Sequence, residues 1–86
     1  MDIENLFKNI KIKLLKNRFI QHVEIEDKTY LHLKHASHDK NKYHIKLNIY
    51  SNELKKISRI ESTKQINKIL ESEIKDHIHS IQILLK

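Results

Sequence analysis

The apolar residues Ile3, Leu6, Phe7, Ile10 and Leu14 recur at the spacing of one helical face, and Asp2 stands where an N-cap belongs. Acidic Asp2 and Glu4 near the start, with Lys11, Lys13 and Lys16 near the end, follow the preference of the helix dipole. The pattern predicts a helix over residues 3–16, whose stripe suits the cover of a sheet better than a membrane surface. The period then changes to two. From Phe19 to Asp27, Gln21, Val23 and Ile25 alternate with His22, Glu24 and Glu26, as in a half-buried strand. Ile45, Leu47 and Ile49 alternate with His44, Lys46 and Asn48 in a second strand that can return antiparallel beside the first.

Ser58-Arg59-Ile60-Glu61 reads as a capping box. A second long helix starts there and reaches about Glu73 or Lys75, with Ile60, Ile66, Leu70 and Ile74 on one broad apolar face and Ile69 at its margin. Asp76 to Leu85 alternates again, with His77, His79, Ile81, Ile83 and Leu85 on one parity, and predicts a third strand. Helix, strand, strand, helix, strand makes an α+β two-layer sandwich, with both helices on one face of a small three-stranded mixed sheet. A strand parallel to its neighbour after the second helix implies a right-handed crossover.

Composition narrows the function. The 86 residues suit one domain, 1–86, with a single modest core. The chain has no cysteine, glycine or proline. Disulfides, cysteine zinc fingers and a self-contained iron–sulfur site are excluded, as are phosphate-cradling glycine loops. Without a signal-like or membrane-spanning run, the expectation is a soluble cytoplasmic protein with no membrane partner. The net charge of +6 would suit a polyanion, but only Arg18 and Arg59 among the 17 basic residues are arginine. Abundant isoleucine, asparagine and lysine read as compositional drift on solvated faces.

Four of the seven histidines, His32, His35, His38 and His44, fall between Tyr30 and His44. Imidazole is a good ligand for iron, zinc or copper, and two imidazoles can replace two thiolates on one iron of a [2Fe–2S] cluster. His32 and His35 would fall on opposite faces of an ideal strand, so both could ligate one ion only if the loop curls. His79 sits at the opening of the last strand, on its apolar parity, where one ring nitrogen could be fixed and the other face out. If the third strand lies beside the first, the loop histidines can approach it. The plainer reading is a packed His79 and merely solvated loop histidines, with His22, His44 and His77 as surface or packing residues. No nucleophile set against a base and no carboxylate pair suggests an enzyme.

Nearly the whole chain resembles the BolA family, small proteins with a class II KH-like αββαβ fold. The resemblance rests on Asp27-Lys28-Thr29-Tyr30-Leu31-His32-Leu33-Lys34-His35, similar to that family's D-x-S-x-x-H-x-G-H stretch with Thr29 for serine and Lys34 for glycine. It rests also on His44-Ile45-Lys46-Leu47 for H-F-x-V, Ser51-Asn52-Glu53-Leu54 for S-x-x-F, and Ile78-His79-Ser80-Ile81 for V-H-A-L. It implies a non-enzymatic adaptor in iron–sulfur cluster assembly or trafficking and iron homeostasis, paired with a monothiol glutaredoxin and a monomer when alone. A [2Fe–2S] cluster would be shared, with sulfur ligands from glutaredoxin and glutathione and none tightly bound to the isolated chain. His79 matches the family's histidine ligand and His32 best matches the loop ligand, with His35 and His38 as rivals. The alternative implied is a KH-like, weakly nucleic-acid-binding transcriptional regulator acting through Lys55, Lys56 and Arg59. Arg59-Ile60-Glu61 departs from the R-H-R of many members, and the KH G-x-x-G loop is missing, so phosphate contacts are weakened.

Overall fold

The computed structural model describes residues 2–29 and 42–86, so the readings on His32, His35 and His38 lie outside the described residues. Helix α1, Ile3–Leu15, starts as the spacing predicts, with the Asp2 carboxylate accepting from the Asn5 amide at 2.8 Å. Leu6, Ile10 and Leu14 are fully buried beneath it. A turn follows, in which the Ile20 amide donates to the Asn17 carbonyl at 3.0 Å and Ile20 enters the core. Strand β1, His22–Asp27, therefore begins later than the alternation from Phe19 suggested.

Strand β2, Tyr43–Tyr50, is the centre of the sheet. It pairs antiparallel with β1 from His22↔Tyr50 to Asp27↔Ile45, and parallel with β3, Ile78–Leu85. The third strand thus lies beside the second and not beside the first. Burial explains the order: Ile45, Leu47 and Ile49 are at most 2% exposed, and the most completely covered strand takes the middle. The mixed α+β sandwich is as expected, with the helices packed over the face that carries these three residues.

Two helices stand where one long helix was expected, and a short unexpected helix precedes them. Ser51 caps the short α2, Asn52–Lys56, its hydroxyl accepting from the Leu54 amide at 3.1 Å. Ser58 caps α3, Arg59–Ile69, in the same way through the Glu61 amide, also at 3.1 Å. A bend at Leu70 (φ −101°, ψ 18°) separates α3 from α4, Glu71–His77. Hydrogen bonding continues across it, from the Leu70 amide to Ile66 and from the Ile74 amide to Leu70. With no proline or glycine to cause it, we assign the bend to packing: Leu70 is fully buried, and α4 is swung so that Glu73 meets α1. Ile60, expected on the apolar face, is 71% exposed on the first turn of α3. No helix among the described residues is long and apolar enough to cross a membrane.

Glu73 ties the helix layer together. Its carboxylate receives the Lys13 ammonium at 2.7 and 2.8 Å, and the Ser72 hydroxyl at 3.2 Å. Burial alone would push the carboxyl up, but the bonds from Lys13, from its own amide and from Ser72 outweigh it and hold the pKa below the usual range. The ionised form is favoured by folding. Its contribution is therefore complete above the unfolded carboxyl pKa and disappears as pH falls through the lower folded value. Glu73→Gln is expected to destabilise the domain by about 1 kcal/mol near neutral pH. In urea unfolding the difference from the parent should close as pH falls below about 4.

Candidate functional site

The end of the sheet from which residue 29 leaves and to which residue 42 returns is tied at His44. Its carbonyl accepts from the Lys28 amide at 2.7 Å, and its amide donates to the Thr29 hydroxyl at 3.1 Å. Thr29 is itself held by the Asp27 carboxylate, which accepts its amide at 2.9 Å. Both stems of the 30–41 segment are thus fixed where β3 begins.

Here the ladder slips. Tyr43 pairs with Ile78 but His44 pairs with Ser80, so His79 is an extra residue with no opposite number. A bulge of this kind reverses side-chain parity. Ile78 can therefore enter the core, at 3% exposure, while Ile81, Ile83 and Leu85 still pack against the same core from the other parity. His79 does not lie on the apolar side as simple alternation implied. It is exposed, and its ring rests on that of His44, with centroids 4.8 Å apart and planes inclined by 36°.

His44 itself is buried, at 5% exposure, and its Nδ1 lies 2.6 Å from the Ser80 hydroxyl on the neighbouring strand. Either the imidazole N–H donates to the oxygen or the hydroxyl donates to the nitrogen, and both arrangements fix the ring plane. The site is therefore two-tiered: a held imidazole under an accessible one. His44 and Ser80 stand inside motifs that the sequence singled out, yet neither was marked as part of a site. The signal for the bulge was present, since apolar Ile78 and Ile81 are three apart in a strand.

Of the other histidines, His22 is exposed on β1, its ring centroid 5.1 Å from that of Tyr50, and His77 ends α4. Lys55, Lys56 and Arg59 are exposed around the junction of α2 and α3. Among the described residues, no group of three or more His, Cys, Asp or Glu side chains is gathered to hold a metal ion.

The family model for BolA-like proteins matches residues 15–86. The chain belongs to the BolA-like family. A BolA-like fold accounts for the solved structures that it resembles. The BolA domain of SufE1 from Arabidopsis thaliana is 28% identical, with a TM-score of 0.75 over 100% of this chain and 93% of that one. BolA1 from Arabidopsis thaliana is 23% identical, with a TM-score of 0.73 over 92% of this chain and 87% of that one, a likeness of fold. No curated protein sequence matches this BolA-like chain.

The Ser80 bond has a measurable role. Ser80→Ala leaves the strand intact and removes the partner of His44 Nδ1, with an expected loss of about 1 kcal/mol in urea unfolding. The imidazole nitrogen resonances of His44 should shift at the same time, and those of His22 should not. Unmoved His44 resonances would show that the hydroxyl does not hold the ring.

Proposed function

We propose that this BolA-like protein is the imidazole-donating half of a [2Fe–2S] site shared with a monothiol glutaredoxin, and that it acts as a cytoplasmic, non-enzymatic adaptor in cluster assembly or trafficking and iron homeostasis. The observation that carries the proposal is the exposed His79 ring on a bulge, backed by His44. A ligand shared across an interface has to be both accessible and held in direction, because a freely rotating side chain loses orientational entropy on binding.

The donor chemistry fits. The chain has no thiol, so any cluster bound at His79 would take its sulfur ligands from elsewhere, as the family resemblance implies for glutaredoxin and glutathione. His79 would supply imidazole nitrogen, and the cluster, when bound, supplies iron and sulfide for delivery. His44 does something different: it holds the face of the His79 ring through stacking and is itself held by Ser80. A second ligand would come from His32, His35 or His38, with His32 first on the motif. The stems of that segment, which reach the sheet beside His44, support this step.

The nucleic-acid reading has less behind it. Lys55, Lys56 and Arg59 are exposed, but Ile57 and Ile60 are exposed among them, 38% and 71%, where a phosphate-binding tip would be polar.

Mixing the protein with a monothiol glutaredoxin, iron, sulfide and glutathione is expected to give a heterodimer with a visible spectrum unlike that of the glutaredoxin homodimer. His79→Ala should return the spectrum to the homodimer form, whereas His77→Ala should leave the heterodimer form in place. An unchanged spectrum in His79→Ala would overturn the assignment.

A further inference from the structure

The two edges of the sheet are built differently. Strand β1 carries Glu24, Glu26 and Asp27 among its six residues, and Glu26 is bracketed by Lys28 at 3.2 Å and Lys46 at 3.8 Å. Charged edges of this kind resist pairing with another strand. Strand β3 has eight residues, Ile-His-Ser-Ile-Gln-Ile-Leu-Leu, and not one is charged, in a chain where charged residues make up 33%. No described strand lies on its outer side.

The direction of its main-chain groups follows from the ladder. The Lys86 amide donates to the Ile49 carbonyl at 2.9 Å, and the register pairs Ile49 with Leu85. In a parallel pair this places the even-numbered residues of β3 in bonds to β2 and points the N–H and C=O groups of Ile81, Ile83 and Leu85 outward. Beside them runs a trough. Arg59, Thr63 and Asn67, four residues apart along one row of α3, form its wall against Ile81, Gln82 and Ile83, enclosing about 340 Å³. A second hollow of about 320 Å³ continues it past Ile83 to Leu54, Lys55 and Ile57. Among the described residues no carboxylate lines either one, whereas Lys55 and Arg59 do.

We propose that the β3 edge is a strand-addition site for an extended acidic peptide segment of a partner protein. Outward amides and carbonyls repeating every second residue match a β-strand backbone, and the flanking cations match acidic side chains on it. A second copy of this chain fits less well, since its β3 brings no acid to Lys55 and Arg59 and each copy carries a net charge of +6. A single-stranded nucleic acid fits less well too, because among the described residues no aromatic side chain lines the trough for base stacking. The proposal stands independently of iron at His79.

The probe is a capped peptide of alternating valine and glutamate, about eight residues long to match a typical strand. On adding it to the full chain, the amide resonances of Ile81 and Ile83 should shift and their hydrogen exchange should slow, with the inward amides of Gln82 and Leu84 little changed. Arg59→Glu should weaken binding by about tenfold at low salt. Ile83→Pro removes one outward N–H and no ladder bond, and should weaken it as well; should that variant fail to fold, Arg59→Glu still decides. Equal binding of a control peptide with lysine in place of each glutamate, unchanged affinity in Arg59→Glu, or unmoved Ile81 and Ile83 amides would overturn the proposal. Concentration-dependent protection of those amides without peptide would assign the edge to a second copy instead, and tighter binding of oligothymidylate there would assign it to nucleic acid.

Discussion

One surplus residue in the β2–β3 ladder governs how this domain presents itself. Ile78 and Ile81 both have to reach the helix layer, and two strand positions three apart cannot do so while the pleat is regular. The bulge at His79 resolves the conflict by letting the core claim both isoleucines and excluding the residue beside them. What is excluded is an imidazole. Its exposure is thus a by-product of apolar burial and is as robust as the core that enforces it.

The same junction explains why His44 becomes buried on the face of the sheet turned away from the helices, where Asn48 of β2 is buried as well. Glu24, Glu26, Lys46 and Tyr50 share that face and are solvated to varying degrees, with Glu26 held below the usual carboxylate range first by its bond to Lys28 and then by Asn48. His44 sits where strand β3 starts, under His79 and against Ser80, so its cover comes from residues 35 and 36 positions away.

Much of this was legible in the chain. Helix α1 and strand β2 announce themselves because their periods are unbroken: Leu6, Ile10 and Leu14 on one, Ile45, Leu47 and Ile49 on the other, all deeply buried. The bend at Leu70 was not legible, since no glycine or proline marks it and its cause is a contact with α1 that lies far away in sequence. Ile60 misled for a related reason, because an apolar residue at the right spacing is buried only if something stands opposite that turn of the helix. At the site, His79 could be named from its motif, but its direction depends on the ladder slip. The role of His44 depends on a neighbour on another strand, which no linear pattern records.

The family model begins at residue 15, yet Leu6, Ile10 and Leu14 are among the best-covered side chains and Lys13 is the partner of Glu73. Sequence recognisable as shared and polypeptide needed for autonomous folding have different borders here. A fragment trimmed to the recognisable part would uncover the core that Leu6, Ile10 and Leu14 help to close and strand an anionic group at the helix interface.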